Sequence, residues 1–360
     1  MPKITLNKKY QKNLMISIIV LLIAFFSGFF EDYIGFHNNQ DNRIESLYKN
    51  TDKAEIEDKL SGFSLDKIKE LKNTDLFVGN KDYLNNIVQK IDLAKNKIYL
   101  ETYILTEKRI QKALKKAYDR GLQVKIILEK NVYKAPNLNN KVFYNLKDYG
   151  IDITWAKNNY ALTHAKFFVI DDSAIISTGN ISYSSFTKNR DFFIETSDEN
   201  IVKILERIFE NDFEGINKAP YKHEIALSPV YSRIKLEELI NNAKENINIY
   251  AQNFSDEKII KLLVNKANSG IKINIIGPSL SQMENNLEAY NALKNAGINI
   301  VEKTSPYIHA KALVIDSKFL LIGSINYSDY SIDKNREVSL VIKNSEIIKK
   351  FNKIFEEDLK

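Results

Sequence analysis

The stretch HAKFFVID at residues 164–171 recurs as HAKALVID at residues 309–316, with six of the eight positions identical. Both copies read H-x-K-x-x-x-x-D around an apolar interior, which is typical of a buried strand whose side chains alternate between two faces. In each copy the histidine and the lysine, two positions apart, therefore share one face of the strand. These candidate functional residues are His164, Lys166, His309 and Lys311. The closing aspartates, Asp171 and Asp316, point to the opposite face and are predicted to be structural.

The two motifs belong to a longer internal repeat. GLQVKII at residues 121–127 corresponds to GIKINII at 270–276, and IFENDF at 208–213 corresponds to IFEEDL at 354–359. In each unit a helical run ends at glycine and leads into an alternating strand. A period of about 146 residues indicates a duplicated domain rather than a solenoid. We therefore predict an α/β fold with two duplicated α/β sandwich domains in one chain.

Composition limits the chemistry that the chain can perform. The 360 residues include 44% hydrophobic and 27% charged residues, as in a folded globular protein. The absence of cysteine excludes disulfides, thiolate metal sites and cysteine nucleophiles. The formal net charge of +6 suits an anionic substrate but does not require one. Because only four histidines occur and two of them occupy the repeated motif, these two are the leading functional candidates.

An uncharged run, LMISIIVLLIAFFSGFF at residues 14–30, follows four lysines in the first twelve residues. Its length is just sufficient to cross a hydrocarbon core of about 30 Å as a helix. By the positive-inside rule the N-terminus is expected in the cytoplasm and the catalytic domains outside it, in the periplasm or at the cell surface. A cleavable signal peptide is the alternative, although four phenylalanines crowd the only small residues near the end of the run.

The predicted organisation has six segments. They are a basic cytoplasmic tail (1–13), one transmembrane anchor (14–30), a stalk (31–75), a first domain (76–215), a linker (216–229) and a second domain (230–360).

A second block of polar residues follows each motif. The second half has GSIN at residues 323–326, whereas the first half has STGN at residues 177–180, reached one residue early. Glycine permits close backbone approach, and hydroxyl and amide side chains can bind an oxyanion. Farther on, Asp191 lies 27 residues after His164, and Glu337 lies 28 residues after His309. One single-residue deletion explains both offsets.

Together, H-x-K-x-x-x-x-D and G-S-x-N resemble the signature of the phospholipase D superfamily, over residues from about 76 to 360. The resemblance implies that the two motifs form one active site at the domain interface. It implies that His164 attacks phosphorus to form a phosphohistidine, while His309 protonates the leaving alcohol and then activates the acceptor. The expected site residues are His164, Lys166, Asn180, His309, Lys311 and Asn326, supported by Asp171, Thr178, Asp191, Asp316, Ser324 and Glu337.

The residue types suit these roles. Neutral imidazole is a nucleophile near pH 7, and a second imidazole can carry the proton. Lys166, Lys311 and the two asparagines would bind the non-bridging oxygens, while Asp191 and Glu337 would orient the imidazoles.

No cofactor or metal is expected, because a lysine beside each histidine would repel a metal cation. The expected function is a membrane-anchored phospholipase D-type phosphodiesterase that cleaves phospholipids. The alternatives are a cardiolipin-synthase-like phosphatidyltransferase, an anchored or secreted nuclease, and a protein that only binds phosphate because the first motif is altered. The expected partners are a phospholipid substrate and the membrane, with nucleic acid as an alternative substrate. No obligate protein partner is inferred, since one chain carries both motifs.

Overall fold

The computed structural model describes residues 63–360, all of which lie within one compact unit. The predicted tail and anchor, and residues 31–62 of the predicted stalk, lie outside the described residues. Within the described range, no helix combines the length and the apolar character that a membrane crossing requires.

Two halves with closely similar element orders follow one another. The first half contains β1 (Thr74–Val78), α1 (Lys81–Leu93), β2 (Lys97–Thr102), α2 (Lys108–Asp119), β3 (Gln123–Leu128), α3 (Asn140–Asp148), β4 (Asp152–Trp155), β5 (Lys166–Ile170), β6 (Ser173–Ser177), β7 (Asn189–Arg190), β8 (Phe192–Thr196) and α4 (Glu199–Glu214). The second half contains β9 (Ile225–Ser228), α5 (Ser232–Asn241), β10 (Asn246–Ala251), α6 (Glu257–Asn268), β11 (Lys272–Pro278), α7 (Leu287–Asn295), β12 (Asn299–Lys303), β13 (Tyr307–Ile308), β14 (Lys311–Ile315), β15 (Phe319–Gly323), α8 (Asp329–Asp333), β16 (Glu337–Ile342) and α9 (Ser345–Leu359).

Each half forms a mixed seven-stranded sheet. The strand order is β1-β8-β6-β5-β2-β3-β4 in the first half and β9-β16-β15-β14-β10-β11-β12 in the second. The β2-β3-β4 and β10-β11-β12 runs are parallel, and the remaining neighbours pair antiparallel. The chain is thus an α/β protein with two copies of one sheet topology, as the repeat predicts.

Both sheets are covered on their two faces, which explains their nearly continuous apolar strands. Helices α1, α2 and α3 cover the outer face of the first sheet, and α5, α6 and α7 cover that of the second. Helices α4 and α9 contribute to a shared core between the two sheets. The motif strands β5 and β14 are buried at every position; one face of each packs in this shared core and the other in the outer core of its own half.

Two segments belong to the folded halves although the predicted boundaries place them outside. Phe63, Leu65 and Ile68, assigned to the stalk, are at most 8% exposed and pack in the outer core of the second half. Strand β9, assigned to the linker, forms the edge of the second sheet; at four residues it is too short for its alternation to be recognised.

The motif aspartates sit in the hairpin turns that follow β5 and β14. The Asp171 carboxylate accepts hydrogen bonds from the backbone N–H groups of residues 95, 96 and 97, at 2.8, 2.9 and 3.0 Å. Asp316 accepts the equivalent three from residues 244, 245 and 246. Burial acts to raise the pKa of both carboxyls, but these N–H groups outweigh it and hold both pKa values below the ordinary range. Both aspartates therefore tie a hairpin to the start of the neighbouring strand.

The single-residue deletion in the first half lies in the same turn. Two residues, Asp171 and Asp172, join β5 to β6, whereas three, residues 316–318, join β14 to β15. The deletion is therefore confined to the end of the hairpin remote from the histidine, and it leaves the strand registers on both sides equivalent.

We expect Asp316→Asn to lower the free energy of unfolding by about 1–2 kcal/mol, because three charge-assisted hydrogen bonds to backbone N–H become weaker or are lost. Asparagine retains tolerance for the left-handed backbone at this position, where φ is 50°. Urea unfolding measures the change, with the exposed Asp172→Asn as the matched control. A loss of activity larger than the loss of folded protein would contradict a purely structural role.

Candidate active site

The backbone of each half holds the histidine segment of the other. Strands β7 and β13 pair in parallel across the junction, so the segment before Asp191 runs beside the segment before His309. A bridge between Thr163 and Arg336 makes the equivalent contact on the other side. The backbone N–H of His164 donates to the Arg336 carbonyl at 2.8 Å. The chain direction therefore brings each histidine next to the acidic residue of the opposite half.

The side chains complete this crosswise arrangement. Nδ1 of His164 lies 2.9 Å from Oε2 of Glu337, and Nδ1 of His309 lies 2.8 Å from Oδ1 of Asp191. Both carboxylates are completely buried. A carboxylate facing Nδ1 favours the tautomer with the proton on that nitrogen, which leaves Nε2 of each imidazole unprotonated. Lys311 Nζ lies 3.4 Å from Nε2 of His309.

The carboxylates are themselves positioned by hydroxyl and amide groups. Thr178 Oγ1 donates to Asp191 Oδ1 at 2.8 Å and accepts from the backbone N–H of Phe192 at 2.9 Å. Ser331, a residue absent from the sequence prediction, donates to Glu337, and the Asn335 amide lies 3.3 Å from the same carboxylate. A fixed carboxylate fixes the ring orientation of its histidine.

The hydroxyl of Ser324, the counterpart of Thr178, is also directed to the backbone. It accepts from the N–H of Val338 at 3.0 Å and lies 3.3 Å from the carbonyl of the same residue. The sequence suggested an oxyanion contact for this hydroxyl; the structure directs it to the strand that carries Glu337.

The two motif lysines lie within the same buried cluster. Lys166 is fully buried and Lys311 is 2% exposed. Burial lowers the pKa of Lys166 well below its ordinary value and that of Lys311 to about 8, while Glu337 and Asp191 oppose the shift. Lys311 Nζ lies 3.3 Å from the His309 ring and 3.4 Å from the Thr178 carbonyl, so it also touches both halves.

Burial dominates the titration of both histidines. It lowers the pKa of His164 to about 4, with Glu337 raising it and Lys166 lowering it further. The pKa of His309 is lowered for the same reasons, with Asp191 as the opposing carboxylate. Both imidazoles are therefore neutral at pH 7 in the free protein. An anion bound between the two lysines would restore charge balance and raise both pKa values.

The motif asparagines present amide oxygens without protein partners. Among the described residues, Oδ1 of Asn180 and Oδ1 of Asn326 are buried and form no hydrogen bond. Buried amide oxygens are usually paired, so an unpaired one marks either a ligand contact or a bound water. The predicted histidines, lysines and acids, with Thr178 and Ser324, thus lie together at the junction, whereas Asp171 and Asp316 lie in the hairpin turns.

Two crosswise ion pairs escaped the sequence analysis. Arg190 binds Asp358 of α9 through Nε and Nη2 at 2.6 and 2.7 Å, and Arg336 binds Asp212 of α4 at 2.7 Å. The Arg336 and Asp212 side chains are only 1% and 5% exposed. Each arginine immediately precedes the acidic partner of a histidine, so each ion pair helps to hold the backbone that carries this acid. The sequence does indicate both pairs, because Asn189-Arg190 recurs as Asn335-Arg336 and Asp212 recurs as Asp358.

Within residues 63–360, no group of three or more histidine and carboxylate side chains is arranged to hold a metal ion. The ammonium groups of Lys166 and Lys311 beside the histidines would oppose a cation there.

Two duplicated α/β halves with crosswise histidine–carboxylate pairs define a protein of the phospholipase D superfamily. The family model described as "Cardiolipin synthase, PLD-like domain" matches residues 87–213 and 236–359. The chain belongs to this family.

Individual relatives are distant. Cardiolipin synthase 1 of Bacillus anthracis is 25% identical over 341 residues, which cover 80% of this chain and 66% of that protein. The solved phosphatidylserine synthase of Haemophilus influenzae Rd KW20 has a TM-score of 0.63 at 10% identity and covers 85% of this chain and 90% of its own. Polyphosphate kinase from Porphyromonas gingivalis has a TM-score of 0.61 at 17% identity, with coverage of 80% and 50%. At these identities the structural likeness concerns the fold.

Glu337→Gln is expected to lower kcat by about 10²–10⁴-fold, because an amide that donates to Nδ1 favours the tautomer with the proton on Nε2. Steady-state kinetics measures the loss, and thermal unfolding verifies that the variant is folded. Ser331→Ala is the control, since it removes only one hydrogen bond to Glu337 and should cost less than about tenfold. A kcat within threefold of wild type for Glu337→Gln would exclude an orienting role.

Stability should fall in acid through His164. The folded pKa of about 4 lies below the ordinary 6.5, so the unfolded chain binds a proton that the folded chain does not. The stabilisation is therefore present above pH 6.5 and is lost as the pH falls toward 4. Between pH 7 and pH 5, we expect the free energy of unfolding of the wild type to fall by about 2 kcal/mol more than that of His164→Gln. Urea titrations at both pH values measure this; parallel decreases would contradict the assignment.

Proposed function

We propose that the chain is a phosphatidyltransferase of the cardiolipin-synthase type, which moves a phosphatidyl group from one phospholipid to a lipid alcohol through a phosphohistidine. The observation that carries the proposal is the crosswise pairing of His164 with Glu337 and of His309 with Asp191. It supplies two equivalent imidazoles, each with a carboxylate at Nδ1 and an unprotonated Nε2, beside two buried lysines.

In the first step, Nε2 of His164 attacks the phosphorus of the donor lipid. The phosphorus–oxygen bond to the head group breaks, and the leaving oxygen takes its proton from Nε2 of His309. Binding of the anionic phosphodiester protonates His309 beforehand, because the phosphate charge offsets the lysines that lower its pKa. Glu337 stabilises the positive charge that develops on the attacking imidazole.

In the second step, His309 acts as the base. It removes the proton of the acceptor hydroxyl, whose oxygen attacks phosphorus while the phosphorus–nitrogen bond breaks and its electron pair returns to His164. Lys166, Lys311, Asn180 and Asn326 contact the non-bridging oxygens in both steps, and their contribution grows as charge shifts onto these oxygens.

The transferase is preferred to hydrolysis, which was the main sequence expectation. The matched family carries the description of cardiolipin synthase, and so does the relative from Bacillus anthracis. The phosphatidylserine synthase with a similar fold is named for a phospholipid product as well. A phospholipid substrate fits these names, whereas none of them favours nucleic acid. The uncharged run at residues 14–30 would hold the site beside a bilayer, with the catalytic halves outside the cytoplasm.

The test offers the full-length chain in detergent labelled phosphatidylglycerol, phosphatidylethanolamine and single-stranded DNA, each with EDTA present. We expect a new phospholipid and free head group from the lipids, with unchanged rates in EDTA. The rates should fall by at least about 10³-fold in His164→Ala and in His309→Ala. Thin-layer chromatography and mass spectrometry identify the products.

The other products would each overturn part of the proposal. Phosphatidic acid without a new phospholipid would assign hydrolysis. DNA fragments with unchanged lipids would assign a nuclease. Loss of activity in EDTA that zinc restores would replace the phosphohistidine mechanism. A His223→Ala variant, altered at a histidine outside the motifs, is the matched control and should retain full activity.

A further inference from the structure

Glu101 is a fully buried acid that the proposed mechanism does not use. It lies in β2 and pairs with Phe167 of the motif strand β5. The residue is 0% exposed, and neither carboxyl oxygen forms a hydrogen bond within the described chain. An ionised carboxylate without donors is strongly unfavourable in a protein core. Burial without donors therefore favours the neutral, protonated form of Glu101.

The neighbours of Glu101 form one buried cluster across the junction. Helix α4 packs on β2 and carries Asp212, whose Oδ1 accepts from Arg336 Nη2 at 2.7 Å and lies 3.4 Å from the Tyr160 hydroxyl. Oδ2 of Asp212 and Nε of Arg336 are also buried, and neither has a hydrogen-bond partner in residues 63–360. The cluster thus holds unpaired groups of opposite kinds, an N–H donor and carboxyl oxygens, contributed by both halves.

Charge balance determines how many protons the cluster holds. With both acids ionised, Glu101 and Asp212 carry two negative charges against the single positive charge of Arg336. Burial raises the pKa of Glu101 well above its ordinary value; Asp212 raises it further, and Arg336 opposes the shift. Burial also raises the pKa of Asp212, again opposed by Arg336, and it raises that of Tyr160, whose hydroxyl stays neutral. Two acids that share a site in this way retain one proton between them, and the cluster is then neutral.

The second half contains the same cluster with a different donor. The repeat places Tyr250 where the first half has Glu101. The Tyr250 hydroxyl donates to Oδ2 of Asp358 at 2.6 Å, and Arg190 binds the same carboxylate. A neutral O–H donor therefore completes the aspartate–arginine pair in that half. A protonated Glu101 can donate to the unpaired Oδ2 of Asp212 in the same way, whereas an ionised one cannot.

We propose that Glu101, as a neutral acid that donates its proton to Asp212, is a positioning residue for His164. Asp212 holds the Arg336 side chain, the Arg336 carbonyl accepts the backbone N–H of His164 at 2.8 Å, and the next residue is Glu337. The inference rests on the proposed function, since it concerns the imidazole that attacks phosphorus. Loss of the proton would leave two carboxylates competing for Arg336 and would loosen the backbone on which both members of the His164–Glu337 pair depend.

The first experiment detects the proton without turnover. The folded pKa of Glu101 is raised above the ordinary 4.5, so the stabilisation is fully present below pH 4.5 and is lost as the pH rises through the folded pKa. In urea titrations of the full-length chain, the unfolding equilibrium constant of wild type should rise by about tenfold per pH unit relative to that of Glu101→Gln between pH 5.5 and pH 7.

Tyr250→Phe is the matched control for this titration. It removes a donor that is neutral at both pH values, so its unfolding equilibrium constant should keep a fixed ratio to that of wild type. A fixed ratio for Glu101→Gln as well would overturn the inference.

The second experiment reads the position of His164 directly. Because the chain has only four histidines, the low-field Nδ1 proton of His164 can be assigned by NMR from its loss in His164→Ala. We expect this proton to exchange with water at least about tenfold faster in Glu101→Met, which has no donor, than in wild type. Glu101→Gln retains an N–H donor and should restore slow exchange, while the Nδ1 proton of His309 should be unchanged in both variants. Equal exchange at His164 in all three proteins would contradict a positioning role.

The third experiment measures lipid turnover by the full-length chain in detergent. Glu101→Met should lower kcat by at least about tenfold and leave the KM for phosphatidylglycerol within about twofold, because the buried Glu101 does not touch the lipid. Glu101→Gln should recover kcat to within about threefold of wild type. An equal loss of kcat in the two variants would show that a neutral donor is not what the position requires.

The experiments separate failure of the inference from failure of the proposed function. The pH-dependent ratio and the selective change at His164, found in a protein that turns over no lipid, would retain Glu101 as a positioning residue and reject the phosphatidyltransferase. Lipid turnover with a fixed ratio in Glu101→Gln and unchanged exchange in Glu101→Met would retain the transferase and reject the role of Glu101.

Discussion

The exchange of carboxylates between the halves is the contact on which the site depends. His164 belongs to the first half and its carboxylate, Glu337, to the second, whereas His309 and Asp191 reverse this order. Neither half alone contains a histidine with an oriented Nδ1 proton. Because the acids lie at the start of β8 and β16, which sit in the shared core, docking of the sheets and assembly of the site are one event. The Arg190–Asp358 and Arg336–Asp212 pairs also cross the junction. In each pair the arginine precedes an acid in one half and binds the closing helix of the other half.

The sequence predicted the composition of this site better than its geometry. The repeated spacing identified the histidines, lysines and acids, and strand parity separated Asp171 and Asp316 from the others; both accept backbone hydrogen bonds in turns. Spacing within one strand cannot reveal which strand lies opposite, so the crosswise partners were not predictable. Ser331 was missed although the repeat carries a signal for it, because Ser328 and Ser331 correspond to Ser182 and Ser185 of the first half, where a 3-10 helix (Ser184–Phe186) takes the place of α8. The N-terminal anchor lies outside the described residues, and its prediction stands on hydropathy alone.

The altered first motif has a local explanation. A Cβ on Gly179 would lie 2.5 Å from the Asp191 carboxylate, and one on Gly323 would lie 2.4 Å from the Val338 carbonyl. Gly179 therefore lies where the chain passes closest to Asp191, and Gly323 lies where it passes closest to Val338. The glycine takes different positions in the two motifs because these close contacts differ. Thr178 and Ser324 still occupy equivalent places, each accepting the N–H that follows the acidic residue. The change of sequence thus preserves the hydrogen bonds that hold Asp191 and Glu337.

The charges around the two histidines are nearly equivalent, so they do not determine which histidine is the nucleophile and which is the acid. Burial lowers both histidine pKa values, a carboxylate raises each, and a lysine lowers each again, so titration alone does not assign nucleophile and acid. Displacement at phosphorus places the attacking and leaving groups roughly in line, on opposite sides of the phosphorus. An alcohol that leaves or enters must therefore lie on the side of the acid. Because the side chains of His164 and His309 are almost equally exposed, at 13% and 10%, the assignment of His164 as the nucleophile stays a prediction from the family resemblance.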